Sequence, residues 1–362
     1  MSVYLDYNAT TPLREEAKIG MLEVMGPPYN SSSVHSYGRK AKSYLDEARD
    51  LVATLVNANS DQIIFTSGGT EANALIMHSA NLPLISSIEH EAIIQSSHNP
   101  TFLEVNGNGQ VNLNQIERKI LEIKPDILSV MWANNETGVI QPINEIAEIA
   151  NHHNVHIHCD AIQAVGKIEI DFKVSGLDSL AISSHKIGGP TGVGALVVSN
   201  PLKLNPIIRG GGQERGYRAG TENVPGIVVF GAAARQALSE MNAFRNIVKQ
   251  QRQFEKQIKK SLSEIIIIGE NVERLPNTTC VCMPHMSSEA QVIALDLEGF
   301  AVSAGSACSS GKVKESHVLK AMGLDWASKN SIRISSGWQN SENDLEKLAQ
   351  AYIELYKRSY KY

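Results

Sequence analysis

Ser179-Leu180-Ala181-Ile182 followed by Ser183-Ser184-His185-Lys186-Ile187-Gly188-Gly189-Pro190 reads as an apolar strand that runs directly into a lysine and a glycine-rich turn. A lysine at a strand end, flanked by small residues, can be held against a ligand with the backbone close by. Attack on an aldehyde needs such a fixed lysine, able to lose its proton. By itself the stretch also fits a surface lysine in a polar loop, so the neighbouring strands decide. Candidate strands are Gln62–Thr66, Pro83–Ser87, Ile127–Trp132, Val155–His158, Ser179–Ile182 and Val193–Val198, with helical patterns such as Leu113–Ile123 and Ile143–His153 between them. Strands alternating with helices predict an α/β fold with a mainly parallel sheet covered on both faces.

The rhythm changes further on. A long helical pattern from Pro225 to Ser263 precedes strand-like Ile265–Ile268 and Thr278–Met283 and helices over Ser288–Glu298 and Ser341–Arg358. This reads as a smaller α+β domain that shares the long helix as a spine. The division expected is a large domain over 15–245, and a small domain formed by 1–14 with 246–362. A chain of 362 residues, 42% hydrophobic, can bury two such cores. A net charge of −5 gives no basic field for nucleic acid. No run approaches ~18 apolar residues, so no membrane span is expected. The N-terminus shows no secretory signal. The 4 cysteines are too few and scattered for a disulfide framework and suit a reducing cytoplasm. Cys280 and Cys282 alternate along an apolar stretch and read as buried small hydrophobes; no metal site is expected.

Other strand ends supply partners for Lys186. Asp160 closes the strand Val155–His158, where it is either a helix N-cap or an acid able to pair with a protonated pyridine nitrogen. Gln163 could hydrogen-bond a phenolic oxygen on the same ring. Ser67-Gly68-Gly69-Thr70-Glu71 lies between a strand and a helix, where backbone N–H groups face an anion. No Gly-Lys-Ser/Thr follows, so it is no Walker loop. Phosphate cup, acid and lysine on successive strand ends are the contacts that pyridoxal phosphate needs. His90 could stack on its ring and shuttle protons. Asn134-Asn135-Glu136-Thr137-Gly138 is a turn or a ligand-facing loop.

In the C-terminal part, Cys308 sits in a small, glycine-rich segment, Ser303–Gly311, with Lys312 and Lys314 after it. A thiol there can reach a substrate as thiolate. Arg333 alternates with apolar residues in Ser331–Ser335, and an inward-facing arginine needs an anionic partner.

With these residues in place the chain resembles the cysteine desulfurases of the NifS/IscS type, in the class-V aminotransferase group. The resemblance runs nearly end to end, through Tyr4–Pro12, Phe65–Glu71, Glu89-His90, Asn134–Gly138, Asp160–Gln163, Ser183–Lys186, Gly210–Arg215, Arg218–Thr221, Ser303–Ser309 and Ser331–Arg333. It implies a pyridoxal-phosphate transferase of fold type I, with a seven-stranded type of sheet, working as a homodimer. Lys186 would carry the cofactor, Asp160 hold the pyridine nitrogen, Gln163 the phenolic oxygen, and His90 stack on the ring. Gly69, Thr70, Ser183 and His185 would hold the phosphate, with Thr221 from the partner subunit. Asn135 would line the cofactor and, with Arg333 and Asn8, bind the substrate carboxylate. Cys308 would accept sulfur.

The implied reaction converts L-cysteine to L-alanine and leaves a persulfide on Cys308, for an acceptor protein in iron–sulfur assembly or thiolation. Two departures stand out. Pro is absent beside Asn30-Ser31-Ser32, and Trp338 replaces a smaller or basic residue. The chain also stops at Tyr362, without the longer extension by which scaffold-serving members dock. The rival readings are a class-V aminotransferase, a selenocysteine lyase and a non-catalytic assembly subunit. Cys308 in its loop argues against the transaminase, and the intact set of Lys186, Asp160, His90 and Cys308 argues against loss of catalysis.

Overall fold

A computed structural model describes residues 2–200, 204–305 and 315–359. The chain opens with strand β1 (Val3–Tyr4) and helices α1 (Glu15–Val24) and α2 (Ser36–Leu55). Strands β2 (Ile63–Thr66), β3 (Pro83–Ser86), β4 (Thr101–Leu103), β5 (Ile127–Ser129), β6 (His156–Asp160), β7 (Ser179–Ser183) and β8 (Gly194–Val198) follow. Helices α3 (Gly69–Met77), α4 (Glu91–Ile94), α5 (Leu113–Ile123) and α6 (Ile143–His152) lie between them. These strands form one seven-stranded sheet in the order β2-β8-β7-β6-β5-β3-β4. Every pairing is parallel except the two made by β8.

The strands are apolar on both faces, as a doubly covered sheet requires. Ile63, Phe65, Leu84, Leu128, Ile157, Leu180 and Val197 join the core built with α2, α5, α6 and helix α7 (Val224–Ser239). The alternate residues Ile64, Ile85, Ile127, Ala181 and Leu196 join a separate core under α3 and α4. The expected mainly parallel sheet is therefore present, with boundaries that move by a few residues. β5 ends at Ser129 rather than Trp132.

The remaining elements are α8 (Phe244–Ser261), β9 (Ile266–Ile267), β10 (Thr278–Cys282), α9 (Ser288–Leu297), β11 (Phe300–Ala301), α10 (His317–Ala321), β12 (Ser331–Ser335) and α11 (Glu342–Ser359). An antiparallel sheet β12-β10-β9 packs on α8, α9 and α11, and β1 pairs with β11. Val281, Ile332 and Ile334 face this second core. Because successive side chains alternate, Cys280, Cys282 and Arg333 face the other way, toward Ile88 and Met131 of the large sheet's loops.

One expectation fails. The spine helix read over Pro225–Ser263 is two helices, α7 and α8, separated by a 3-10 turn at Met241–Ala243. The reason lies in the two cores. α7 is buried on most of its circumference against α1 and α2, and a Cβ on Gly231 would meet Ala48 Cα at 2.7 Å. α8 is amphipathic and directs Phe254 and Ile258 into the second core, and Leu262, just past its end, continues the i, i+4, i+8 spacing. One straight helix could not present both faces.

Candidate active site

The chemistry-bearing residues converge where the parallel strands end, the usual ligand position in an open α/β sheet. A cavity of about 380 Å³ lies there, and its wall includes His90, Asp160, Gln163, Lys186 and Arg333. A larger cavity of about 650 Å³ lies beside α8, lined in part by Arg252, Glu255 and Arg274. Among the described residues it receives none of the expected catalytic groups, so the smaller one is the candidate site.

Lys186 ends a short 3-10 turn after β7. Its Nζ donates to the carbonyl of Asn8 and, at 2.7 Å, to that of Ala9. Burial first, and then the Arg333 guanidinium, pull its pKa down to about 8, against the pull of Asp6 and Asp160. A primary amine is thus held neutral in useful amount near physiological pH. The turn is pinned from behind. Arg14 Nε donates to the Ile187 carbonyl at 2.7 Å, and Trp338 stacks on the same guanidinium at 4.0 Å. That gives the unusual Trp338 a structural role.

Asp160 closes β6 and is 4% exposed. Its Oδ1 accepts from the Ile162 N–H at 3.0 Å and its Oδ2 from Asn73 Nδ2 at 2.7 Å. Burial raises its pKa, while His90, these hydrogen bonds and Lys186 lower it. Gln163 Nε2 donates to the Asn8 carbonyl at 2.9 Å. His90 caps α4, with Nδ1 accepting from the Ala92 N–H at 3.0 Å. A neutral His90 therefore carries its proton on Nε2.

At the other end of the cavity, Gly69 and Thr70 start α3, so their N–H groups have no partner within the helix. The approach is close. A Cβ on Gly69 would meet Ile162 Cδ1 at 2.1 Å, and one on Gly194 would meet the Gly68 carbonyl carbon at 2.6 Å. Ser183 and His185 line the same end. His185 Nδ1 lies 3.1 Å from Thr10 Oγ1, and burial with Lys186 pushes its pKa down to about 4. Its neutral ring and the helix amides offer donors to an anion.

Arg333, 4% exposed, donates to Asp6 Oδ1 at 2.6 Å and to the Asn135 carbonyl at 2.9 Å. Among the described residues its buried Nε has no hydrogen-bond partner. Asn8 joins this corner, donating to Thr278 Oγ1 at 3.0 Å and to the Asn135 carbonyl at 3.2 Å. The donor set thus fits pyridoxal phosphate: an amine for the aldehyde, a carboxylate for the ring nitrogen, and a Cβ-free helix start for the phosphate.

One expected residue, read as a contribution from a partner subunit, does not line this chain's own cavity. Thr221 is exposed, in the segment before α7, and does not line the wall. Cys308 lies outside the described residues; Ser303 and Gly305, just before it, line the cavity. Sequence reading missed Lys167, Asp6, Asn73 and His158. Lys167, 5% exposed, donates at 2.7 Å to both Asn8 Oδ1 and Gln163 Oε1. Burial above all, then Lys186 and Arg333, push its pKa well down. Its place four residues after Gln163, in the turns that follow β6, gave no clear signal.

The aminotransferase class-V family matches residues 3–348. The chain is 38% identical over 361 residues to the cysteine desulfurase IscS of Dictyoglomus turgidum, covering 95% of this chain and 91% of that protein. It is 39% identical over 372 residues to cysteine desulfurase IscS 1 of Archaeoglobus fulgidus, covering 98% and 97%. The solved NifS-like protein of Rickettsia africae superposes with a TM-score of 0.92 at 37% identity, over 99% of this chain and 100% of that one.

Proposed function

Because the chain belongs to the class-V aminotransferase family and is a pyridoxal-phosphate-dependent cysteine desulfurase, we propose that the cavity around Lys186 is its catalytic centre, and that Cys308 carries the sulfur away. The observation that carries this reading is the convergence of Lys186, Asp160 and Arg333 on one 380 Å³ cavity, with the lysine's pKa drawn down to about 8. Lys186 would hold the cofactor, and the freed amine would move the substrate's α-proton. Asp160 would face the ring nitrogen, Gln163 the phenolic oxygen, and His90 the ring. Gly69, Thr70, Ser183 and His185 would hold the phosphate. The bound cofactor supplies an electron sink for the carbon next to the amine.

Arg333, with Asn8 and Asn135, would orient the substrate carboxylate. The guanidinium's Nε, without a partner among the described residues, is the donor it brings. In the net reaction the Cβ–S bond of L-cysteine breaks and a sulfur–sulfur bond to Cys308 forms. The carbon takes the bonding electrons and a proton, and leaves as L-alanine.

We read residues 15–245 as the cofactor-binding domain, and 1–14 with 246–362 as the domain that carries the cysteine. A homodimer would bring Thr221 of a second copy to the phosphate. The acceptor would be a cytoplasmic protein of iron–sulfur assembly or thiolation. The test compares Cys308→Ser with wild type for alanine and sulfide release from L-cysteine with a thiol reductant. The variant should bind cofactor normally and lose sulfide release. Undiminished release would refute the role given to Cys308.

A further inference from the structure

Behind Asp160 runs a line of polar groups that takes no part in the cavity wall. Asn73 Nδ2 donates to Asp160 Oδ2 at 2.7 Å, and Asn73 Oδ1 lies 3.1 Å from His158 Nε2. His158 Nδ1 lies 2.9 Å from Ser179 Oγ, which in turn lies 3.0 Å from His156 Nε2. His156 Nδ1 stands 3.8 Å from Asp178 at the protein surface. Asn73, His158 and Ser179 are each fully buried. The arrangement follows from strand geometry. His156, His158 and Asp160 share one face of β6 by the period of two, and Ser179 on β7 is the ladder partner of His158.

The line has a direction. An amide oxygen only accepts, so His158 Nε2 must carry the hydrogen and Nδ1 must accept. Ser179 then donates to Nδ1 and accepts from His156. The reverse order would turn the Asn73 oxygen toward the Asp160 carboxylate, oxygen against oxygen. Burial and the neighbouring His156 push the His158 pKa down to about 3, so the ring stays neutral and keeps one donor and one acceptor. Every hydrogen therefore points toward Asp160.

We propose that Asn73, His158 and Ser179 form a positioning relay that keeps Asp160 oriented and ionised beneath the cofactor's ring nitrogen. The relay rests on the assignment of Asp160 to that nitrogen. Its need is physical. Desolvation favours the neutral acid, which could not pair with a protonated ring. Other groups act on Asp160 too. His90 and Lys186 lie on the cavity side and favour the carboxylate, whereas Glu89, buried behind, opposes it. The Ile162 N–H holds Oδ1, and the relay supplies the only side-chain donor on Oδ2 among the described residues.

The experiment titrates the visible absorption of cofactor bound to the holoenzyme against pH, and measures cofactor dissociation, in His158→Phe, His158→Gln, Asn73→Leu and Asp160→Asn. Asp160→Asn sets the scale of losing the carboxylate. His158→Phe and Asn73→Leu should shift the midpoint in the same direction by about one pH unit, a tenfold change, and release cofactor about tenfold more readily. His158→Gln retains a donor for Asn73 and should return most of the way to wild type. If Asp160→Asn shifts both readouts while His158→Phe and Asn73→Leu leave them at wild-type values, the relay is overturned. If Asp160→Asn changes neither, the assignment of Asp160 itself falls. Should His158→Phe not fold, Ser179→Ala takes its place, with a smaller shift of the same sign expected and no shift overturning the proposal.

Discussion

Lys167 Nζ lies 2.7 Å from Gln163 Oε1 and 2.7 Å from Asn8 Oδ1, so one buried amine fixes how both amides face the cavity. With their oxygens engaged, both amides keep their NH2 groups for other partners. Lys167→Met should leave Gln163 Oε1 without a donor, at a cost of about 1–3 kcal/mol, while Asn8 Oδ1 still accepts from Asn277 Nδ2 at 3.3 Å. Loss of an amine that is costly to bury offsets part of this. The expected result is weaker cofactor retention on dialysis with a modest fall in melting temperature. Unchanged retention would show that the two amides orient themselves.

The pKa of Lys186 makes a prediction about pH. Its folded value, about 8, lies below the ordinary 10.5. The unfolded chain therefore binds more protons across that window, and the stability of the cofactor-free protein should rise as pH increases from 8 toward 10.5. Only the neutral amine attacks an aldehyde, so the rate of cofactor uptake should climb through pH 8 and level above it. Stopped-flow absorbance checks this, and a rate that is flat from pH 6 to 9 would oppose it.

Arg333→Lys should keep a positive charge but lose the fork that spans Asp6 and Asn135. Loss of one charge-assisted hydrogen bond, about 1.5–3 kcal/mol, corresponds to a fall of roughly 10–100-fold in kcat/KM for L-cysteine. Cofactor absorbance should be unaltered. Steady-state alanine release measures it.

Gly194→Ala tests the cradle from a distance. The new methyl would meet the backbone of Gly68 at 2.6 Å and the Ile182 carbonyl at 2.8 Å, and neither can rotate aside. The start of α3 must shift, so cofactor affinity should drop while the sheet still forms. Fluorescence titration with cofactor and far-ultraviolet circular dichroism separate the two effects.

These outcomes divide much as legibility in the sequence does. Lys186, Asp160 and Gly69 are readable because each is an abrupt local change, a polar or glycine residue directly after an apolar strand. The sheet is readable for the same reason, through the repeated apolar runs. Asn73 and His158 are not, since their meaning comes from contacts between separate elements, α3 meeting β6 and β6 meeting β7, and Lys167 takes its meaning from Asn8 in the distant N-terminal segment. The break between α7 and α8 escaped notice because no Pro or Gly marks it; only the division of the two cores explains it.

The central claim is that sulfur leaves L-cysteine on Cys308. The direct measurement is mass spectrometry of peptides from the holoenzyme after a single turnover with L-cysteine and no reductant. The account predicts one added sulfur on the Cys308 peptide, equal in amount to the alanine formed, and none on Cys159, Cys280 or Cys282, whose thiols are buried. Alanine formed in full with no added sulfur on Cys308, or with sulfur on another cysteine, would contradict it.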